Sequence, residues 1–426
     1  MTSQTMTSET ALRWVATARL RRLALVAALA VAAAVVTARG ELLVVAAVPL
    51  VVLALTSRAG LPAVAAVGAR VEPRRCVEGD DLDLAVDARA PGVERVEAAP
   101  VLPPHTESRP AQTPESGTHW TLTPTRWGRY PVGPVRFRLL AGAGCYQATV
   151  AVDAGEIVVY PAARAVARAV APRELAAPLG EHPSRAVGSG VEFAGVRPYV
   201  PGDRRRDVDW HTSARHGDLY VRQYAAERAF DLVVVLDTGG DAGRPGSSTL
   251  DLTVRAASGL VQAYLRAHDR VGLLTFGGPL HWLAPATGPR QRYQVYEALM
   301  SVRPDQVDRD AGAVEYGLER LPSRMLPRRA FVALLSPLLD ERPLGAVRLL
   351  RERGFAPLVV DVLTSEPAAR PGSAAELAVR TWRLQREAWT VELAALGVPV
   401  LTWDGTADLT GALLHAMRAA GHRGGA

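Results

Sequence analysis

Charged side chains of both signs lie close together between Val191 and Tyr224, with aromatic rings spaced among them. The charged residues include Asp203, Asp207, Asp209, Asp218, Arg197, Arg206, Arg215 and Arg222. A guanidinium group binds a carboxylate through two parallel hydrogen bonds and also stacks on aromatic rings. This stretch therefore predicts a network of ion pairs. Such a network fits a structural role and also fits a ligand site.

The acidic residues of this stretch suggest a hydrolase as one alternative. Pro201-Gly202-Asp203 and His216-Gly217-Asp218 are turn sequences, so we expect short extended pieces joined by tight turns. On an extended strand, His211 and Asp209 would point to the same face. A histidine beside a carboxylate is a common general base. The candidate catalytic set is Asp203, Asp207, Asp209 and His211.

Nucleic-acid binding is a second alternative. Arg204-Arg205-Arg206 forms a basic loop, and Trp210 follows it closely. Basic side chains contact phosphates, and an exposed aromatic ring stacks on bases. Across the whole chain, however, 49 basic residues are interleaved with 43 acidic ones, so no basic face is predicted and we expect no nucleic-acid partner.

The composition excludes several enzyme classes. The 426-residue chain contains no lysine. A G-x-x-x-x-G-K-[ST] phosphate loop and Schiff-base chemistry both require lysine, so the chain is neither a P-loop ATPase nor a pyridoxal enzyme. The hydrolase motifs G-x-S-x-G and H-E-x-x-H are also absent. Cys76 and Cys145 are isolated and lack zinc-binding spacing, so we expect them to be reduced.

Two uncharged apolar runs, residues 23–38 and 42–56, are separated only by Arg39-Gly40-Glu41. As helices each would span roughly 22 to 24 Å, so flanking residues must help to cross a hydrocarbon core of about 30 Å. The tandem arrangement favours a membrane hairpin over buried core helices or a cleaved signal peptide. We therefore expect residues 1–60 to be a membrane anchor with two transmembrane helices.

The distribution of arginine predicts the orientation of this anchor. Basic residues flank both runs on their outer sides, which places both flanks in the cytoplasm. We expect a multi-pass protein of the inner or plasma membrane with cytoplasmic soluble domains. The flanking residues are Arg13, Arg19, Arg21, Arg22, Arg58, Arg70, Arg74 and Arg75.

Residues 68–161 show the period of β-strands. Leu82, Leu84 and Val86 recur at every second position, and glycine and proline residues separate such runs. This pattern predicts a small antiparallel β-sandwich. Residues 162–230 are expected to hold a connector and the charged stretch described above.

From residue 231 to 426, strands and helices alternate. Residues 232–236 form an apolar run typical of a strand buried on both faces. Ser248 and Asp251 form a capping-box pattern at the start of a helix. Further strands are predicted at 270–276, 330–335, 357–363 and 398–403, and helices at 291–302, 311–321, 343–354, 374–396 and 409–420. This order predicts a doubly wound α/β sheet, with any ligand at the carboxyl ends of its strands.

The stretch from Val191 to Tyr224 closely resembles the signature of the domain-of-unknown-function-58 family, so we call residues 191–224 the signature segment. The family pattern reads E-F-x-x-x-R-x-Y-x-x-G-D, then R-x-I-D-W, S-A-R and L-x-V-R. Arg204 and Arg205 depart from it, because acidic residues or proline are expected there. The matching residues are Glu192, Phe193, Arg197, Tyr199, Gly202, Asp203, Arg206, Asp209, Trp210, Ser213, Ala214, Arg215, Leu219, Val221 and Arg222.

The resemblance implies that the C-terminal part is a von Willebrand factor type A-like domain, in which a D-x-S-x-S loop binds a divalent cation. Asp237 matches the aspartate of this loop, but Gly239 and Asp241 stand at the positions of the two serines. Pro337 and Gly312-Ala313 likewise replace expected ligands in the other two loops. This set is poor in the oxygen ligands that Mg²⁺ requires, so we expect no bound metal and no other cofactor. The remaining candidate ligands are Asp237, Asp241 and Asp340.

The resemblance also implies a partner, an AAA+ ATPase of the MoxR type. Because this chain lacks lysine, the nucleotide site would belong to that partner. We therefore expect a membrane-anchored protein-interaction or adaptor module without catalysis of its own.

Overall fold

The computed structural model of the protein describes residues 8–56, 61–111, 118–163, 193–201, 203–224, 231–277, 280–303, 325–327, 330–364, 366–367, 369–406, 408–411 and 413. The chain divides into two compact units, residues 1–162 and 163–426. Glu192, Gly202, Gly312-Ala313, the helix predicted at 311–321 and most of the helix predicted at 409–420 lie outside the described residues.

The first unit begins with two short strands, β1 (Ser8–Ala11) and β2 (Val15–Ala16), followed by two helices, α1 (Ala18–Thr37) and α2 (Leu42–Leu55). Among the described residues, α1 alone is long and apolar enough to cross a membrane. α2 has 14 residues, so its helical length is about 21 Å. α1 therefore has the length and composition expected of a transmembrane helix, whereas α2 is shorter than the second helix that was expected.

The two helices pack against each other through small residues. Ala27 and Ala34 are the buried residues of α1, and Ala46 and Pro49 are those of α2. Small side chains let helix backbones approach closely, as in membrane helix pairs. The surrounding leucine and valine side chains are mostly exposed. A continuous apolar surface of this kind is unfavourable in water and favourable in lipid.

Ten strands complete the first unit and form its β-sandwich. The sheet orders are β1-β3-β5-β8-β7, β2-β11-β10-β6 and β4-β12-β9, and every pairing is antiparallel except that of β4 with β12. Residues of all three sheets share one apolar core, which includes Val67, Leu84, Phe137 and Ile157. The ten strands are β3 (Val64–Glu72), β4 (Arg75–Val77), β5 (Leu82–Arg89), β6 (Arg95–Pro100), β7 (Thr106–Ala111), β8 (Thr118–Pro124), β9 (Gly128–Val132), β10 (Val135–Ala141), β11 (Tyr146–Val152) and β12 (Gly155–Tyr160).

The residues before the helical hairpin take part in this sandwich. β1 pairs with β3, which follows the hairpin, and Ser8 lies opposite Val67. β2 pairs with β11, and Ala16 lies opposite Tyr146. Residues 1–60 were expected to form the anchor alone, whereas β1 and β2 within residues 8–16 also extend two sheets.

The second unit begins with the signature segment, which contains β13 (Phe193–Pro198), a 3-10 turn (Arg205–Asp207), α3 (Trp210–His216) and β14 (Tyr220–Tyr224). β13 and β14 are antiparallel, and Phe193 lies opposite Tyr224. The expectation of extended pieces and tight turns was wrong for residues 210–216, which form a helix. A side-chain cap at its start and Gly217, with φ of 78°, at its end define this single helical segment.

The rest of the second unit is a six-stranded sheet with the order β17-β16-β15-β18-β19-β20. Its strands are parallel except β17, which is antiparallel to β16. β17 was not predicted from the sequence, because it is short and contains Pro285, a residue that sheets accept at their edges. The elements are β15 (Asp231–Asp237), α4 (Thr249–Arg266), β16 (Arg270–Phe276), β17 (Trp282–Ala286), α5 (Gly288–Ser301), β18 (Phe331–Ser336), α6 (Arg342–Glu352), β19 (Pro357–Asp361), α7 (Ala374–Ala395) and β20 (Val400–Thr402).

Helices cover both faces of this sheet. Val233 and Val235 of β15 share a core with Val347 of α6 and Leu393 of α7. Leu232, Val234 and Leu236 alternate with them along β15, and α4 packs against β15, β16 and β18. The strand order reverses at β15, so the carboxyl ends of β15 and β18 flank the position where such sheets place their sites. The identification of this sheet and its helices as a von Willebrand factor type A-like domain stays a prediction.

Candidate functional site

Arg197 and Asp203 form a bidentate ion pair within the signature segment. Arg197 Nη1 donates to Asp203 Oδ2 at 2.7 Å, and Nη2 donates to Oδ1 at 2.6 Å. Asp203 Oδ2 also accepts the backbone N–H of Val200 at 2.9 Å. The Arg197 hydrogen bonds, followed by that from Val200, hold the pKa of Asp203 below its usual value. The pair closes the turn after β13, so it is explained without a ligand.

Asp209 and Ser213 fix the start of α3 and join it to β14. Asp209 accepts the N–H of Thr212 at 3.0 Å and Nε of Arg222 at 3.0 Å. These hydrogen bonds, first that from Thr212, lower the pKa of Asp209. Ser213 Oγ donates to the carbonyl oxygen of Asp209 at 2.7 Å and accepts the N–H of Tyr220 at 2.8 Å. The matches of Asp209 and Ser213 to the family pattern therefore have a local structural cause.

The arrangement expected for a general base at His211 is not found. That expectation assumed an extended strand, whereas Asp209 is the cap of α3 and His211 is exposed in its first turn. Asp207 lies 3.8 Å from Arg206, and Asp203 is engaged by the bidentate pair described above. Each carboxylate of the candidate catalytic set is therefore engaged with a different partner.

The signature segment also exposes a mixed aromatic and basic surface. Trp210 is 67 % exposed at the start of α3. The N–H of Tyr199 donates to the carbonyl oxygen of Leu219 at 2.7 Å, which brings exposed Val200 close to exposed Leu219. The exposed basic residues are Arg204, Arg205, Arg206 and Arg215. We call Trp210, Val200, Leu219 and these four arginine residues the signature surface.

Asp237 lies at the carboxyl end of β15 and is buried. Ser336 Oγ donates to Asp237 Oδ2 at 2.7 Å, and the N–H of Gly239 donates to Oδ1 at 3.0 Å. Burial raises the pKa of Asp237 to about 6. Because Ser336 ends the neighbouring strand β18, the loops that follow the two strands lie side by side at one edge of the sheet.

Asp241, the second candidate metal ligand, accepts hydrogen bonds at the start of α4. Its Oδ1 accepts hydrogen bonds from Thr249 Oγ1 at 3.2 Å and from the N–H of Leu250 at 3.0 Å. Ser248 and Asp251 complete the predicted capping box on the same turn. Asp241 therefore contributes to helix capping.

Arg342 binds the third candidate ligand, Asp340, and reaches the neighbouring loops. Its Nε lies 3.0 and 2.9 Å from the two carboxylate oxygens of Asp340. Nη2 donates to the carbonyl oxygen of Gly239 at 2.9 Å, and Nη1 lies 3.4 Å from that of Gly277. A Cβ atom at Gly239 would clash with this guanidinium. The glycine that replaces an expected serine therefore makes room for Arg342.

The residues at this edge do not fit a divalent cation. Such an ion needs several carboxylate, hydroxyl or carbonyl oxygens directed at one point. Here Asp237 accepts from Ser336, Asp241 caps a helix, and Asp340 binds Arg342. Across the described part of the chain, no group of three or more His, Cys, Asp or Glu side chains is arranged to hold a metal. The positive charge at this edge belongs to a guanidinium.

The ion pair between Arg386 and Asp361 was not predicted from the sequence. Arg386 Nη2 binds Asp361, and Nη1 donates to the carbonyl oxygens of residues 337 and 338 at 2.5 and 2.8 Å. The two side chains are only 13 % and 12 % exposed. Trp382 lies four residues earlier on α7, and the guanidinium stands 5.7 Å from its ring. The spacing of an aromatic and an arginine on one helix face was the available signal.

Residues 195–370 match the family described as Protein of unknown function DUF58. Uncharacterized proteins of Mycobacterium tuberculosis and Mycobacterium bovis are each 28 % identical over 181 residues, which cover 41 % of this chain and 56 % of the relative. The uncharacterized protein YeaD of Bacillus subtilis is 28 % identical over 100 residues, or 24 % of this chain and 22 % of YeaD. The chain thus spans about half the length of its mycobacterial relatives.

One solved structure, an aerotolerance-related membrane protein from Bacteroides fragilis, aligns with a TM-score of 0.29 and 13 % sequence identity. The alignment covers 46 % of this chain and 100 % of that chain. An overlap at this level does not bear on the fold or the site.

Proposed function

Because residues 195–370 of this chain belong to the DUF58 family, we propose that the protein is a membrane-anchored interaction module. In this proposal it serves a separate AAA+ ATPase of the MoxR type and catalyses no reaction itself. The anchor, the signature surface and the edge of the α/β sheet each support one part of the proposal.

The helical hairpin supports a multi-pass anchor. β1 precedes α1 and β3 follows α2, yet the two strands pair with each other. Both ends of the hairpin are therefore held by one sandwich, so α1 and α2 leave it and return to it. The short α2 crosses the bilayer with help from flanking residues and from arginine side chains that extend to the interface. The basic flanks favour a cytoplasmic sandwich.

The signature surface supports a protein partner, and exposed Trp210 is the observation that carries the proposal. Tryptophan and arginine are the residues most enriched in the energetic centres of protein interfaces. An indole ring that is 67 % exposed contributes little to the stability of α3, whose cap and strand contacts are made by Asp209 and Ser213. The charged residues of the segment thus build a rigid support, and Trp210 is free to bind.

The α/β unit supports the von Willebrand factor type A-like assignment. Five parallel strands, an antiparallel edge strand and helices on both faces give the doubly wound arrangement that the assignment requires. With Arg342 in place of a metal ion, this unit would recognise its partner without Mg²⁺.

Affinity purification tests the partnership. The full-length chain, solubilised in detergent from membranes of its own host, should recover an AAA+ ATPase, and Trp210→Ala should lose most of it. Tyr293→Ala removes another exposed aromatic ring, on α5, and should retain the ATPase. If the wild-type chain recovers no ATPase, or if Trp210→Ala recovers as much as wild type, the proposal fails.

A nucleic-acid role would give a different result. Binding through Arg204, Arg205 and Arg206 would appear as an affinity for single-stranded DNA or RNA that falls steeply with salt. We expect no such binding at physiological ionic strength. Fluorescence anisotropy with labelled oligonucleotides measures it directly.

A further inference from the structure

Helix α7 carries a seam of exposed side chains on the face turned away from the core. Its inner face is fixed by Trp382, which donates to the carbonyl oxygen of Leu339 at 3.0 Å, and by fully buried Leu393. The outer residues are separated by alternating intervals of three and four, the spacing of a coiled-coil seam. The seam residues, all exposed, are Ala374, Leu377, Thr381, Leu384, Ala388 and Val391.

The exposed apolar side chains of this seam indicate that another surface covers them. Leu377, Leu384 and Val391 are 67 %, 60 % and 70 % exposed and lie seven residues apart. Single exposed leucine residues are common on protein surfaces, but these three side chains form a row about 21 Å long on one helix, which is not scattered exposure. The helix also lies beyond residue 370, where the DUF58 match ends.

The sizes of the seam residues fit a second copy of the same helix. If two copies of α7 pack antiparallel about a two-fold axis near residues 382 and 383, each large side chain meets a small one. Leu377 lies opposite Ala388, Leu384 opposite Thr381, and Val391 opposite Ala374. We propose that α7 is the interface of a symmetric dimer of this chain.

Charges beside the seam fit the same arrangement. Arg380 and Glu387 flank the seam on one side, both are exposed, and neither has an ion-pair partner within the described parts of the chain. They are seven residues apart, so they do not pair within one helix. In the antiparallel dimer Arg380 of each copy faces Glu387 of the other, and such flanking pairs set partner and orientation in coiled coils.

Charge reversal in the full-length protein in detergent tests the dimer. Arg380→Glu or Glu387→Arg alone sets like charges against each other at two places and should weaken self-association roughly tenfold or more. A mixture of the two single variants, or the double reversal in one chain, should restore it. Arg292→Glu changes the charge equally on α5 and should have no effect. Light scattering over a concentration series reports the dissociation constant.

Disulfide formation in membranes tests the register. Because Cys76 and Cys145 are buried, introduced cysteines supply the accessible thiols. A chain with Leu377→Cys and a chain with Ala388→Cys should cross-link to each other and not to themselves. Cross-linking of Leu377→Cys to itself, a monomer at all concentrations, or equal self-association of wild type and Arg380→Glu would overturn the proposal. Retention of full dimer affinity in Leu384→Glu, which places a charge at the centre of the seam, would also overturn it. None of these outcomes depends on recovery of an ATPase.

Discussion

Arg342 Nη2 lies 2.9 Å from the carbonyl oxygen of Gly239, a residue 103 positions earlier in the chain. The same guanidinium binds Asp340, so one side chain connects the loops that follow β15 and β18. In a doubly wound sheet, this is the edge at which ligands usually bind. A fixed internal cation at this edge makes its structure independent of a metal ion.

The wild-type protein should therefore not bind divalent cations, and titration with them should give no measurable heat of binding. Arg342→Ala removes the internal cation and leaves Asp340 and the carbonyl oxygens of Gly239 and Gly277 without it, so weak Mn²⁺ binding should appear. Isothermal titration with Mg²⁺ and Mn²⁺ measures both. Arg348→Ala, on the outer part of α6, is the matched control and should behave as wild type. Tight binding by the wild-type protein would contradict the arrangement.

The buried carboxyl group of Asp237 should make stability depend on pH. Its pKa is about 6 in the folded protein against 3.8 as the ordinary value, so the folded state holds the proton more tightly. The resulting stabilisation is fully present below pH 3.8 and is lost as pH rises through 6. For a shift of about two units, we expect the free energy of unfolding to fall by roughly 2 to 3 kcal/mol from this group.

Asp237→Asn should remove that dependence. Chemical denaturation of both proteins at pH 4.5 and pH 7.5 gives the comparison. The free energy of unfolding of Asp237→Asn, relative to that of wild type, should be higher at pH 7.5 than at pH 4.5. Equal differences at both values would show that Asp237 is ionised throughout this range.

Arg386→Ala should be among the most destabilising single changes in the α/β unit. It leaves Asp361 buried without its cation, and burial already raises the pKa of this carboxyl group. Removing one member of a buried pair typically costs about 3 to 5 kcal/mol. Arg386→Met with Asp361→Asn removes both charges and should cost less than the single change.

Arg348→Ala serves as the comparison for this pair, because its partner Glu392 is on the surface. An exposed pair contributes about 1 kcal/mol or less. Urea denaturation ranks the three variants. An Arg386→Ala protein as stable as Arg348→Ala would show that the buried pair contributes little.

Cysteine labelling should distinguish the two ends of the proposed membrane hairpin. Cys76 and Cys145 are buried, and burial raises the pKa of Cys76 to about 11, so the native thiols react poorly. Gly40→Cys, between the helices, should react with a membrane-impermeant maleimide in intact cells. Val101→Cys, exposed on the sandwich, should react only after permeabilisation. Reaction of both from the same side would place the hairpin within one leaflet.

Local sequence patterns identified the elements whose stabilising contacts are local or apolar. The run at 232–236 and the strand at 270–276 were recognised because parallel strands buried on both faces are continuously apolar. The helix at 249–266 was recognised because Ser248 and Asp251 lie three residues apart and cap it. By contrast, β17 contains Pro285, and α3 spans only seven residues and follows a turn sequence. The sequence patterns of β17 and α3 therefore do not distinguish these two elements from loops.

The candidate site was only partly predictable, because its decisive contacts join distant residues. The sequence placed Asp237 at a strand end and indicated that the metal ligands were incomplete. It did not show that Arg342 would reach Gly239, or that Arg386 would lie against Asp361, since both depend on how neighbouring loops meet. The signature segment was recognised as an ion-pair network, but the helical role of Asp209 required the backbone geometry.

In the proposed membrane-anchored protein, the pairing of β2 with β11 makes membrane insertion and folding of the sandwich interdependent. Residues 15–16 emerge from the ribosome about 130 residues before their partners at 146–147, and on this proposal the intervening hairpin enters the bilayer before they can pair. A substitution that blocks insertion of α1 would therefore also leave two sheet edges uncovered, and uncovered edges promote aggregation. Defects in the anchor should consequently appear in the cell as loss of the whole first unit, through misassembly and degradation, rather than as a soluble and intact domain.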